Sequence, residues 1–246
     1  MKMTSRLFLF LFGVLFLIAC NEEEPVTPDP PSTSINKIMP LGASRVEGAR
    51  PDFESYRYEL WKLLVDGGWD FDYIGTMNDF SSYPEYLGFT FDMDHEGRGG
   101  WTSSEILDGI EDWLNQAGAP DIVLFSSPGG NDGLQGLSYN QAINNINQII
   151  DAIQAANPNV TIIIEQMAPA QSASMTGELA LFFEQIQQDV VTIATEQTTS
   201  TSAVLTVDMA SGFGDSLLAD DVHYNEAGAR FIADRYYSVL TGVLQQ

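Results

Sequence analysis

The sequence predicts one α/β domain in which a parallel sheet carries helices on both faces. Three observations lead there. Short apolar runs alternate with longer stretches of helical period from residue 35 to residue 246. That length suffices for one domain with a substantial core. The residues able to do chemistry follow the ends of apolar runs, where open parallel sheets gather their ligands.

The elements follow in order. Residues 34–39 read as the first strand. Residues 53–65 carry Tyr56, Leu60, Leu63 and Leu64 at helical spacing, closed by Gly67 and Gly68. Residues 71–74 read as a second strand. Residues 75–100 show no period and are rich in Asp, Gly and aromatics; a loop this long in a compact domain is usually functional. A helix is predicted over 102–117, capped by Ser103 or Ser104, and a buried strand over 122–125. The spacing of Ile143, Ile146, Ile150 and Ile153 predicts a helix over 139–156. A strand at 160–164, a helix at 178–194 and a strand at 203–207 follow, and Asn225 caps a last helix that runs to Leu240.

Ahead of this domain lie two segments of another character. Residues 1–20 read as a secretion signal: Lys2 and Arg6 form a basic start, and 7–18 are almost wholly apolar but too few to span a bilayer. Ala19 before Cys20, the only cysteine, resembles the lipobox of bacterial lipoproteins, which implies lipidation of Cys20 and membrane contact only through that anchor. Residues 21–34, acidic and then rich in Pro, Thr and Ser, read as a disordered tether. The acidic run after the cysteine resembles the export signal of surface-exposed lipoproteins, so the expected location is the cell envelope, at the outer membrane. With Cys20 on lipid, no disulfide can form. Ten basic residues stand against 34 acidic ones, a formal net charge of −24, which argues against nucleic acid and anionic membrane surfaces as partners.

Three segments carry the chemistry. Ser44, in Gly42-Ala43-Ser44, follows the first strand as a candidate nucleophile. Asn131, in Gly129-Gly130-Asn131-Asp132, can donate its amide to an oxyanion, and the Gly100 N–H at a helix start can be a second donor. His223 is a candidate base, with Asp220 three residues earlier to orient it and Asp221 beside it. Asp92 and His95 repeat that spacing, but His223 lies between the last strand and the last helix and is the preferred base. Two histidines and one lipidated cysteine give no metal-ligand cluster, so neither metal nor cofactor is expected.

These blocks resemble the SGNH (GDSL-type) hydrolase superfamily: Ser44, Gly100, Asn131, and His223 with Asp220. Residues 94–101 (Asp-His-Glu-Gly-Arg-Gly-Gly-Trp) and 38–42 are similar to the acetyl xylan esterase-like branch, carbohydrate esterase family 3. The resemblance implies a flavodoxin-like three-layer α/β/α sandwich with five parallel strands. It also implies metal-free ester hydrolysis through a Ser44–His223–Asp220 triad, with the Ser44 N–H completing the oxyanion hole. Two departures stand out: Ala43 replaces the usual Asp of the first block, and Pro128 precedes the third. The expected activity is removal of short acyl groups, acetyl above all, from small-molecule or carbohydrate esters. Trp101, Tyr83 and Phe89 could form a sugar-binding rim or a small satellite core. Lipid or thioester substrates, and a weakly active surface binding lipoprotein, are the alternatives; Ala43 supports the second.

Overall fold

The computed structural model describes residues 32–79 and 81–246. Cys20, the secretion signal and most of the acidic tether lie outside them. A mostly parallel sheet forms the centre. Its parallel run is β4 (Asp94–Gly97), β1 (Lys37–Gly42), β5 (Ile122–Phe125), β6 (Thr161–Gln166) and β7 (Val204–Asp208), side by side in that order. Two short strands extend it: β2 (Asp72–Tyr73) pairs parallel with the start of β1, and β3 (Met77–Asn78) pairs antiparallel with β4.

The five main strands are the five the resemblance implies, but the second one is not where the sequence pattern put it. The 71–74 run yields only the two residues of β2, beside Lys37 and Ile38. The edge of β1 at Leu41 and Gly42 is taken by β4, from within the segment read as a loop. β4 has no apolar signature because its buried side chains are polar. Glu96 is fully buried and accepts hydrogen bonds from the Thr76 N–H and from Arg98.

Side chains of each strand alternate between two cores, as the two-residue period requires. Met39, Leu41, Val123, Phe125, Ile162 and Ile164 face α3 (Ser103–Ala117), α5 (Tyr139–Ala156) and α6 (Gly177–Gln197). Ile38, Leu124, Ile163 and Val207 face α2 (Arg57–Asp66) and α7 (Glu226–Leu240). Helix starts are fixed by side chains. Asn225 accepts from the Gly228 N–H at 3.0 Å, as its position suggests. For α3 the cap is Thr102, one residue before the serines expected there, in a capping box with Glu105.

Candidate active site

β1 leads directly into the serine segment. A Cβ on Gly42 would stand 2.8 Å from the Ser126 carbonyl oxygen, so only glycine lets β1 and the end of β5 approach this closely. Ser44 then opens α1 (Ser44–Glu47), a single turn in which the Val46 and Glu47 N–H groups both donate to the Ala43 carbonyl at 3.0 Å. Ala43, standing where an acid is usual, closes this turn through its backbone.

The structure brings Ser44, His223 and Asp220 together. Ser44 Oγ lies 2.8 Å from His223 Nε2, and Asp220 Oδ2 lies 2.7 Å from His223 Nδ1. Asp220 Oδ1 also accepts the N–H groups of Val222 and His223, each at 2.8 Å. Burial pushes the Asp220 carboxyl up, but those two N–H groups and the imidazole outweigh it and hold the group below its ordinary range. Asp221 makes no such contact with the ring. His95, by contrast, is buried in β4; burial, with Arg57 nearby, holds its pKa down to about 2.

Several groups that the sequence does not single out complete the arrangement. The Phe53 ring stacks on the His223 imidazole, with centroids 3.8 Å apart and planes 14° from parallel. Arg45, the residue after the serine, is buried and ties four segments together. Its Nε donates to the Val222 carbonyl at 2.8 Å, one residue before the histidine. Its Nη1 donates to the Ala168 carbonyl at 2.8 Å and to Ser127 Oγ at 3.3 Å, and its Nη2 to the Pro169 carbonyl at 3.1 Å. Fully buried Glu165 accepts the Ser127 N–H at 2.7 Å, which pins a non-glycine residue at φ +48° just before Pro128. Burial raises the Glu165 carboxyl; the Tyr236 hydroxyl, the Ser127 N–H and Arg45 oppose this without reversing it.

On the other side of Ser44 stand Gly100 and Asn131. Gly100 takes φ +80°, a left-handed conformation that suits glycine. Asn131, in α4 (Gly130–Leu134), donates one amide N–H to the Trp101 carbonyl at 2.7 Å, leaving its second N–H for another acceptor. Among the described residues no acceptor is found for the N–H of Ser44 or of Gly100. Asp132 locks the two segments together. Its carboxylate accepts the Ser103 N–H at 2.8 Å and the Ser103 hydroxyl at 2.7 Å, and Asn145 donates to that hydroxyl at 3.0 Å. A cavity of about 40 Å³ opens here, lined by Ser44, Trp101, Ile106, Asn131, Met167 and Phe183 among others. Of the suggested rim aromatics, Trp101 lines this cavity. Tyr83 instead packs in a satellite core against Tyr58 and Phe91, and Phe89 is exposed.

The sequence matches the GDSL-like lipase/acylhydrolase family over residues 64–231, a stretch that holds Asn131, Asp220 and His223 and begins after Ser44. The chain belongs to this family. It is an ester hydrolase. Among solved structures it is similar to an acetyl esterase variant crystallised with an acetate ion, at 29% identity and TM-score 0.74 over 85% of this chain and 98% of that one. A carbohydrate esterase of family 3 from Talaromyces cellulolyticus matches at 29% identity and TM-score 0.73, covering 85% and 98% of the two chains. A Clostridium thermocellum family 3 carbohydrate esterase matches at 30% identity and TM-score 0.69, covering 85% and 99%. No curated protein matches the sequence.

Proposed function

We propose that this ester hydrolase removes short acyl groups, acetyl first among them, from carbohydrates, using Ser44 as nucleophile, His223 as base and Asp220 as its orienting acid. The observation that carries the reading is the unbroken chain from Ser44 Oγ through the imidazole to Asp220. Ser44 attacks the ester carbonyl while His223 Nε2 takes the hydroxyl proton; the imidazolium then returns it to the leaving alcohol oxygen as the acyl-serine forms. Water deacylates the enzyme by the same route. Asp220 keeps the Nδ1 proton in place, which leaves Nε2 free to accept. The N–H groups of Ser44 and Gly100 and the second amide N–H of Asn131 would stabilise the oxyanion, the largest single contribution in acyl transfer.

The small cavity supports a short acyl group, because a long chain would need apolar wall for each added methylene, about 0.8 kcal/mol apiece. The acetyl esterase neighbour favours acetyl as the acyl group, and the two family 3 carbohydrate esterases favour a sugar as the alcohol. The specificity constant on nitrophenyl esters is expected to fall from acetate through butyrate to octanoate, and Ser44→Ala to abolish turnover of all three. A rise towards octanoate would turn the reading to lipid esters.

We also propose that the protein is a lipoprotein of the cell envelope, carried at the outer membrane on a lipidated Cys20. The support is sequence alone: the apolar run ending at Cys20 and the acidic, Pro-rich stretch after it. Mass spectrometry of the mature protein should find a diacyl or triacyl cysteine at its N-terminus; an unmodified terminus elsewhere would remove the anchor.

A further inference from the structure

A second cavity, which shares no lining residue with the small one, begins at Glu47, three residues after Ser44. It measures about 210 Å³ and is lined by Glu47, Asn78, Asp79, Ser81 and His95 among others. Gly99 shows how near it is. A methyl group placed on Gly99 would stand 2.3 Å from Glu47 Oε2 and 3.9 Å from Ser44 Cβ. The Glu47 carboxylate and the nucleophile therefore meet over the same bare glycine.

The polar groups here are not all used by the fold. Among the described residues no hydrogen-bond donor reaches the half-buried Glu47 carboxylate; its hydrogen bonds are made by its backbone, the N–H to Ala43 and the carbonyl from Arg57. His95 Nδ1 accepts the Gly97 N–H at 3.0 Å, so a neutral ring carries its proton on Nε2, and this buried N–H has no partner among the described residues. A buried N–H and a half-buried carboxylate left unused beside a cavity point to an occupant that hydrogen-bonds. Asp79 is already neutralised by Arg57, 3.1 Å away with both side chains buried, so the cavity does not hold two bare carboxylates. Ser81 and Asn78 add a hydroxyl and an amide. Acceptors and donors set into a wall that is otherwise largely apolar suit a sugar ring, which carries hydroxyls on its edge and C–H groups on its faces.

We infer that this cavity receives the sugar that leaves as the alcohol, with Glu47 accepting a hydrogen bond from one of its hydroxyls. The inference rests on the hydrolytic reading above and adds where the alcohol binds. Acyl and alcohol then occupy separate cavities, the first lined by Ser44 and the second by Glu47.

The test compares two acetate esters that differ only in the alcohol: nitrophenyl acetate, and a monoacetylated methyl xyloside that keeps two free hydroxyls. For Glu47→Gln the ratio of kcat/KM for the xyloside to that for nitrophenyl acetate is expected to fall about tenfold, mostly through KM, as for a lost hydrogen bond to a charged group. Asn78→Ala, on the exposed edge strand, should move the ratio the same way by less. An equal loss on both esters would make Glu47 a support of the serine turn, and an unchanged ratio would put the sugar elsewhere; either overturns the inference. Wild-type protein that cleaves nitrophenyl acetate but not the xyloside also overturns it, while leaving the esterase standing. Wild-type protein inactive on both would strike at the hydrolytic reading, and the inference falls with it.

Discussion

Two histidines in this chain follow an aspartate at the same distance, Asp220 before His223 and Asp92 before His95, and the fold sends them to opposite fates. Around His223 the backbone turns back on itself, so that Asp220 faces both the N–H and the ring of His223. Around His95 the backbone runs extended into β4, where successive side chains point to opposite faces. Asp92 therefore turns to the Tyr73 N–H at 2.7 Å, while the His95 ring accepts from Gly97. An identical spacing makes an acid–imidazole pair in a turn and cannot make one in a strand. The turn is itself held: the Asn225 amide binds the carbonyls of Ser216 and Leu218, and the Ala219 N–H binds the carbonyl of His223.

The sharpest way to break this comparison is to remove each ring in turn. His223→Ala is expected to lower kcat on nitrophenyl acetate by roughly ten-thousandfold or more, since the whole unit fails when its base is lost. His95→Ala should lower kcat far less and cost mainly thermal stability, because it removes a buried ring from the wall of the second cavity. Steady-state kinetics and thermal melts on the two variants decide it. If His95→Ala is the inactive one while still folded, the base has been assigned to the wrong ring.

What the sequence could reveal of this site follows from the same contrast. Ser44, Asn131 and His223 were legible because each follows a strong apolar strand, and strand ends in a parallel sheet converge on one edge. The long helices were legible from their period; 139–156 is the span of α5. β4 was hidden because its buried residues His95 and Glu96 are polar, with Glu96 satisfied by Thr76 twenty residues away, and a hydropathy pattern cannot register that. Phe53 over His223 is an accident of tertiary packing with no local signal. Arg45 was visible as a residue beside the serine, but nothing in the chain foretold that it would reach Val222, Ala168 and Pro169 at once.

Arg45 sharpens the comparison, because this one side chain joins the serine turn to Val222, the residue before His223. Lysine keeps the charge but has no planar fork, so Arg45→Lys cannot reach the Val222, Ala168 and Pro169 carbonyls together. The expected result is a fall in kcat of about ten- to a hundredfold with KM little changed, as for a small displacement of reacting groups. An unchanged kcat would mean that the Ser44–His223 distance is set by the backbone alone.

The smallest effect expected is on the other aspartate. Burial above all raises the Asp92 carboxyl to about 7, against the Tyr73 and Asp94 N–H groups that favour its charge, while Asp220 is held low. The folded protein thus keeps a proton on Asp92 that the unfolded chain has already released. Between pH ~4 and ~7 that difference works against folding, and it is complete above the folded pKa. Stability carried by this group is therefore present at acid pH and lost as pH rises through that window. Asp92→Asn cannot ionise, and its amide oxygen can still accept the Tyr73 N–H. Melting wild type and variant at a series of pH values should show the difference between them moving in the variant's favour from pH 4 to pH 8, by about 1–2 kcal/mol for a partly screened group. A difference constant across that range would mean that Asp92 titrates in the folded protein as it does in the unfolded chain, and the two aspartates would then differ in partners but not in charge.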